Sequence, residues 1–380
     1  MRISLFSAAL VAALVGYGAS IALVLSAAAA VGASPAQTAS WLVAVCFAKA
    51  IGTALLSSWH RMPMVLAWST PGAAVIAATS GITFPEAVGA FVVTGILLAL
   101  TGALRPLGQV IARIPEGIAG GMLAGVLLPF CLKGALAAQD LPGIVLPMVA
   151  VFALVRPWNP ALAVLAAFGL GLALAFGAGA APPPGLSLAL PVPVLVTPQF
   201  RLPVLIGLAL PLYLVTMASQ NLPGFATMRA AGYEPPVASA LMVTGGLSTI
   251  SAIFGAHPIN MAAITAAICL GDDVHPDRTQ RWKVGLAYGA VWMGLGLAGP
   301  FVLEVLAVLP RDVMAALVAL ALVGPLIGAL TVAYGAPPQR FAATITLVVT
   351  ASGVVALGIG AAFWGLVAGL VVFGLDRLQR

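Results

Sequence analysis

Hydrophobic positions run along this chain in long stretches from residue 5 to residue 378, interrupted only by short clusters of glycine, proline and charge. A hydrocarbon crossing needs about 20 apolar residues as helix, and the breaks divide the chain on roughly that scale. The pattern predicts fourteen membrane spans, at 5–31, 36–59, 62–79, 84–103, 113–133, 142–156, 159–178, 200–228, 235–254, 255–270, 279–305, 311–332, 340–357 and 359–377. Spans three and ten are unusual. In AWSTPGAAVIAAT and FGAHPINMAAITAA the apolar run restarts at a proline, Pro71 and Pro258, after a polar residue. That pattern predicts a short strand followed by a half-helix opened by the proline, the broken span with which secondary transporters build sites at the membrane midplane. The first run, LFSAALVAALVGYGASIALVLSAAAA, exceeds a signal-peptide core and lacks a cleavage context, so it is predicted to be the first crossing.

Two landmarks recur. Gly32-Ala-Ser-Pro35 after span one matches Gly232-Tyr-Glu-Pro235 after span eight, and Pro71 of span three matches Pro258 of span ten. A Pro-rich connection near 178–198, GAGAAPPPGLSLALPVPVLVTP, separates two halves of seven spans, 1–180 and 200–380. Seven is odd, so the second copy enters the bilayer upside down. The expectation is an all-α integral membrane protein built as a 7+7 inverted repeat, with the two half-helices facing each other.

Composition removes the alternatives. With 62% hydrophobic and 7% charged residues, the chain lacks the polar surface of a soluble domain. The net charge of +6 does not mark a nucleic-acid partner, because the basic residues stand singly at span ends. In the fourteen-span topology twelve of them fall on the side of the termini: Arg2, Arg61, Arg105, Arg113, Arg156, Arg229, Arg278, Arg281, Lys283, Arg340, Arg377 and Arg380. Three, Lys133, Arg201 and Arg311, fall on the other. The positive-inside rule then places both termini in the cytoplasm. Cys46, Cys131 and Cys269 lie far apart in apolar runs and read as small core residues.

The polar residues inside the spans are the candidate chemistry. Thr70 is suited to cap the third-span half-helix, with Pro71 in its first turn and the amides of Gly72 and Ala73 facing the midplane. His257 and Asn260 flank Pro258 in the tenth span, and two converging helix starts would make an anion site without an arginine. His257 is a candidate proton carrier; equally, it is a neutral ring bonded to the half-helix. Thr216, Ser219, Gln220 and Asn221 interrupt span eight, where adjacent amides need either a neighbouring helix or a substrate as partner. Tyr17 lies between Gly16 and Gly18 in span one, and Trp68 either walls an aromatic pocket or packs in the core. Lys49 is too deep in span two to snorkel, and it either neutralises a substrate charge or is held by carbonyls. Glu86, Glu116, Glu304 and Asp312 sit near span ends. The run Gly271-Asp272-Asp273-Val-His275-Pro-Asp277 fits none of the usual metal sites and reads as a loop before a helix. The chain has no HExxH, nucleophile elbow or phosphate loop, so neither an enzyme nor a cofactor is indicated.

The segments LVGYGASIALVLSAAAAVGASPAQTASW, RMPMVLAWSTPGAA, GAHPINMAAITAAICLG and HPDRTQRW resemble the benzoate:proton symporter family, the BenE type, over nearly the whole chain. The resemblance implies the fold of the nucleobase and SLC26-type anion transporters, with a core domain of spans 1–4 and 8–11 moving against a gate domain of spans 5–7 and 12–14. It implies proton-coupled uptake of benzoate or a related aromatic carboxylate across a bacterial cytoplasmic (inner) membrane, with a homodimer left open. The nucleobase branch carries a glutamate in span eight, where this chain has Gln220 and Asn221, which counts against uracil-like substrates. Joined to the residue reading, the expected pose puts the carboxylate between the Thr70/Pro71 and His257/Pro258 helix starts, contacted by Ser69, Thr70, Gly72 and Asn260, with Gln220 and Tyr17 on the ring side. A passive small-anion channel, or a nucleobase or other anion transporter of the same fold, is the alternative.

Overall fold

The computed structural model describes residues 3–18, 20–104, 114–158, 160–179, 190–262, 264–271 and 274–378. Arg2, Arg105, Arg113, Asp272, Asp273, Arg380 and the centre of the Pro-rich connection lie outside them. Among the described residues seven helices are long and apolar enough to cross a membrane, or eight if one bent pair is a single span.

The first apolar run holds α1 (Ile3–Gly18) and α2 (Ile21–Ala30), and α3 (Pro35–His60) follows. Gly32 has φ +71° and Gly232 φ +78°. Each lets its helix end in a tight reversal, closed by Ala33 N–H to Ala28 O (3.0 Å) in one case and Tyr233 N–H to Met228 O (3.0 Å) in the other. The matched loops after spans one and eight therefore share one backbone solution. A capping box of Ser34 and Gln37, with proline in the first turn, starts α3.

Strand β1 (Leu66–Trp68) and the half-helix α4 (Thr70–Ala77) make the third predicted span, and α5 (Phe84–Ala103) the fourth. Then come α6 (Glu116–Asp140), α7 (Pro142–Val155) and α8 (Pro160–Gly177). The eighth predicted span is α9 (Leu202–Ala230), which contains two π-helical turns, Leu205–Ala209 and Met217–Asn221. After α10 (Val237–Ala252) come β2 (Ile259–Met261) and a second half-helix, α11 (Ile264–Leu270). The chain continues through α12 (Lys283–Leu297) and α13 (Gly299–Ala307), bent by 55° at their junction, then α14 (Arg311–Gly335), α15 (Arg340–Ala351) and α16 (Ala361–Leu378).

Both broken spans exist, but Pro258 does not do what Pro71 does. β1 and β2 pair antiparallel, Leu66 with Met261, Ala67 with Asn260 and Trp68 with Ile259. Pro258 precedes its strand and accepts the Ser69 N–H (3.0 Å), whereas Pro71 lies in the first turn of a helix. Asn260 is accordingly a strand residue, and α11 begins only at Ile264. A proline's fixed φ suits the approach to a strand as well as a first helical turn, so the two prolines are not equivalent positions.

The helices pack in two groups. Helix α5 lies along α10, and α3 along α12 and α10; separately, α6 packs against α14, α15 and α16. Small residues permit the close approaches. A Cβ on Gly245 of α10 would overlap the backbone nitrogen of Ala99 and the carbonyl of Gly95, and one on Gly121 of α6 would overlap the Ala343 carbonyl.

The span-end acid Glu86 is buried and closes a capping box with Thr83, whose N–H donates to Oε2 at 2.8 Å, while its other oxygen meets the half-exposed Arg201 guanidinium at 2.9 Å. Glutamine can still close the box. Glu86→Gln should therefore cost only the ion pair, about 0–1 kcal/mol, whereas Glu86→Ala should cost about 1–2 kcal/mol, as read from thermal unfolding of the purified protein.

Candidate functional site

The two strands cross where neither half-helix can satisfy their backbone, so side chains from the surrounding helices do it. Leu66 N–H donates to Thr53 Oγ1 of α3 (3.1 Å), Ile259 N–H to Ser248 Oγ of α10 (3.0 Å) and Met261 N–H to Asn221 Oδ1 of α9 (2.9 Å). In a membrane interior each such donor left bare costs several kcal/mol, which explains three buried polar residues in otherwise apolar helices. Asn221 is thereby assigned a protein partner, a strand rather than a helix. It sits at the end of the second π turn, and π turns widen a helix so that side chains can be re-aimed.

At the start of α4 the cap is Ser69, not Thr70. Ser69 Oγ accepts the Gly72 N–H (3.1 Å), its carbonyl accepts the Ala73 N–H (2.7 Å), and its hydroxyl pairs with Thr216 Oγ1 of α9 (2.9 Å). The Asn260 amide faces the Ser69 N–H at 3.0 Å. Ser69 thus bonds to Gly72, Ala73 and Thr216, Asn260 joins them when its amide oxygen is turned toward the Ser69 N–H, and the amides expected to face a ligand are already taken. Thr70, at the first helical position, is half-buried, and no hydrogen bond of its side chain, nor of half-buried Gln220, is found among the described residues.

His257 and Tyr17 are not part of this hydrogen-bonded group; both lie beside the Trp68 ring. The fully buried Trp41 donates its indole N–H to His257 Nδ1 at 2.8 Å. Because indole can only donate, Nδ1 must be the unprotonated nitrogen, and the ring proton sits on Nε2. A second proton would point at the Trp41 N–H, so this bond holds the ring neutral. His257 Nε2 and the Tyr17 hydroxyl are buried with no hydrogen-bond partner among the described residues.

Around Trp68 the aromatic residues converge. Its ring centroid lies 5.7 Å from Tyr17, 5.1 Å from Trp292 of α12 and 6.4 Å from His257, and its own N–H is held by Ser20 Oγ at 2.7 Å. Tyr288, also on α12, donates to the Leu66 carbonyl at 3.2 Å. Into this group reaches Lys49, 1% exposed, with Nζ 3.0 Å from the Trp292 centroid, 4.8 Å from that of Trp68 and 5.8 Å from that of Tyr288. No carboxylate pairs with Lys49 among the described residues, where the only ion pair found is Arg201 with Glu86. A desolvated cation–π contact is worth about 2 kcal/mol, against several kcal/mol to bury each ion, so the rings cover the ammonium without neutralising it. Sequence reasoning singled out Tyr17, Trp68 and Lys49 but not Trp41, Tyr288 or Trp292. A tryptophan in an apolar span carries no mark of what it faces.

Paired strands, each followed by a short half-helix, inside a bundle of long apolar helices define the class as a helical membrane protein. Over 97% of this chain and 98% of the other, the fold matches the transmembrane domain of a cyanobacterium bicarbonate transporter, BicA, with a TM-score of 0.61 at 15% identity. It also matches SLC26A9 with a TM-score of 0.59 at 15% identity, over 98% of this chain and 65% of the other. The profile of the BenE family, benzoate membrane transport protein, matches residues 1–375, and the chain belongs to that family. Two relatives align along nearly the full chain: the inner membrane protein YdcO of Escherichia coli, 38% identical over 96% of this chain and 94% of its own length, and the benzoate membrane transport protein of Acinetobacter baylyi, 31% identical over 96% and 93%.

Proposed function

We propose that this protein is a secondary active transporter that takes up benzoate or a related aromatic carboxylate together with protons, by alternating access, across a bacterial inner membrane. The observation that carries the substrate class is the chain-long membership of the benzoate transport family, with a 31% identical relative described as a benzoate membrane transport protein. The antiparallel crossing of β1 and β2 and the matched reversals at Gly32 and Gly232 support fourteen crossings in two inverted repeats, 1–180 and 200–380, with both termini cytoplasmic. The two packing groups fit a core domain (spans 1–4 and 8–11) rocking against a gate domain (spans 5–7 and 12–14), a motion compatible with gate-to-gate pairing in a homodimer.

The substrate sits at the crossing, between the starts of α4 and α11. Thr70 and Gln220 are the polar groups free to reach it, Tyr17 flanks the ring, and Ser69, Pro71, Gly72, Asn221 and Asn260 hold the crossing in shape. His257 is bound as a neutral ring by Trp41 in this conformation, which favours the bonded-ring role over proton exchange.

Thr70→Val keeps the side chain's shape and removes its hydroxyl. It should raise the KM for benzoate about fivefold, the equivalent of about 1 kcal/mol, with unchanged membrane expression. An unchanged KM would remove Thr70 from the site. Counterflow tests the carrier itself: vesicles preloaded with unlabelled benzoate should transiently concentrate labelled benzoate with no ion gradient present, whereas a passive anion channel would only equilibrate it.

A further inference from the structure

Three polar groups in the interior lack what they need, and all three border one indole. Lys49 Nζ lies 4.8 Å from the Trp68 centroid, while the rings of Tyr17 and His257 lie at 5.7 and 6.4 Å. The Tyr17 hydroxyl and His257 Nε2 have no hydrogen-bond partner among the described residues, and Lys49 has no carboxylate. An ammonium, a phenol and an imidazole N–H all donate hydrogen bonds, so an acceptor carrying negative charge would satisfy them together. The surrounding surface is aromatic, with Trp68, Trp292 and Tyr288 each buried to 2% exposure or less. Positive charge, hydrogen-bond donors and flat apolar walls are complementary to an aromatic ring bearing one carboxylate.

We propose that Lys49 is the counter-ion of the transported carboxylate, with the Tyr17 hydroxyl and His257 Nε2–H completing the anion's donors and the faces of Trp68 and Trp292 receiving its ring. This rests on the transport reading above and adds to it the residue that recognises the charge. It places the carboxylate beside the Trp68 ring rather than against the amides at the start of α4, which are already bonded to Ser69. In the structure Nζ lies 3.0 Å from the Trp292 centroid, on the surface a substrate ring would use. The lysine therefore covers the face that the ring would take, and an arriving carboxylate draws Nζ off the indole as the ring moves on.

The same pairing supplies a route for the coupled proton. A carboxylate beside an amine favours the amine's charged form, so the ammonium and the anion pair on the outside and cross together; once the anion has left inward, the buried amine releases its proton to the same side and returns uncharged. The titratable groups that face Lys49 or the rings around it are Cys46 on its own helix, Tyr17 on α1, Tyr288 on α12, Cys269 on α11 and His257 before β2, and none of them is a carboxylate.

The test uses the full-length protein in lipid nanodiscs. Benzoate and its neutral isostere benzamide are titrated while tryptophan fluorescence is followed. Lysine is labelled with 15N at the ε position, which reports three residues, Lys49, Lys133 and Lys283. The expected result is that benzoate moves the Lys49 amine resonance while benzamide does not, and that Lys49→Met weakens benzoate binding about a hundredfold with little change for benzamide. Lys49→Arg, charged at every accessible pH, should bind benzoate but no longer accumulate it on a proton gradient. Wild-type protein that binds benzoate without moving the Lys49 signal would overturn the proposal and leave the transport reading standing, and so would a Lys49→Met variant of unaltered affinity. Wild-type protein that binds no aromatic carboxylate would remove both. The isotope measurement needs no substitution, so it decides the matter even if Lys49→Met fails to fold.

Discussion

Asn221→Leu should all but abolish transport while the protein still inserts in the membrane. The Asn221 side chain is the acceptor for the Met261 N–H at 2.9 Å, at the end of β2 that pairs with Leu66. Leucine has the same branched outline as asparagine, is larger and is apolar, so α9 still packs with a local adjustment, but a buried strand donor loses its partner. An orphaned backbone group costs about 1–3 kcal/mol. That cost falls on β2 and the start of α11 rather than on the whole fold, because Leu66 and Ile259 keep their own acceptors on Thr53 and Ser248. Displacing the crossing by that much free energy corresponds to roughly a 10- to 100-fold loss of transport rate. Initial uptake rates normalised to the amount of protein in the membrane measure it. A rate within a factor of two of wild type would mean that the strand crossing is not part of the working site. Asn221→Asp, which keeps the acceptor, should lose much less of this bond but adds a buried charge, so glutamine is the better rescue.

Gly245→Leu should prevent the α5–α10 pair from closing and leave little folded protein. A side chain at this position meets backbone, the nitrogen of Ala99 and the carbonyl of Gly95, and backbone cannot rotate away as a side-chain tip can. Overpacking of this kind costs about 1–3 kcal/mol where neighbours can shift and more where they cannot. Helix α10 also carries Ser248, so moving it would pull the acceptor away from Ile259. The expected observation is a sharply lowered yield of monodisperse protein after detergent extraction and a lowered unfolding temperature. Gly246→Leu is the control: a Cβ there has nothing within 4 Å, so that variant should extract like wild type.

Much of this architecture was legible in the chain, for physical reasons that differ from element to element. The broken third span announced itself because a serine, a threonine and a proline inside an apolar run leave few alternatives to a strand that ends and a helix that starts. The correspondence of the loops at Gly32 and Gly232 was visible because both ends use left-handed backbone, which strongly favours glycine. Pro258 misled because a strand of three residues, Ile259–Met261, has no periodicity to read, and proline is at home both before a strand and inside a first helical turn. The cap at α4 fell to Ser69 rather than its neighbour Thr70, a one-residue difference that depends on a partner, Thr216, from the far half of the chain.

The site was only half legible. Lys49 stood out as a cation in the wrong place, but its environment is assembled from Trp68 on β1 and from Tyr288 and Trp292 on α12, and no local pattern connects them. The same holds for His257. As a lone intramembrane histidine it invites a proton-carrying role, and only the position of Trp41 shows that one ring nitrogen is already occupied as an acceptor. Charge and burial can be read along a chain; what a buried charge faces is a property of the packed bundle.

The most direct measurement is accumulation of labelled benzoate by proteoliposomes under an imposed proton gradient, acid outside, against protein-free vesicles that correct for permeation of benzoic acid. Protein-dependent accumulation above equilibrium that collapses when a protonophore is added is the predicted result. Protein-dependent flux that only equilibrates and ignores the proton gradient, or no protein-dependent flux at all, would contradict proton-coupled transport of an aromatic carboxylate.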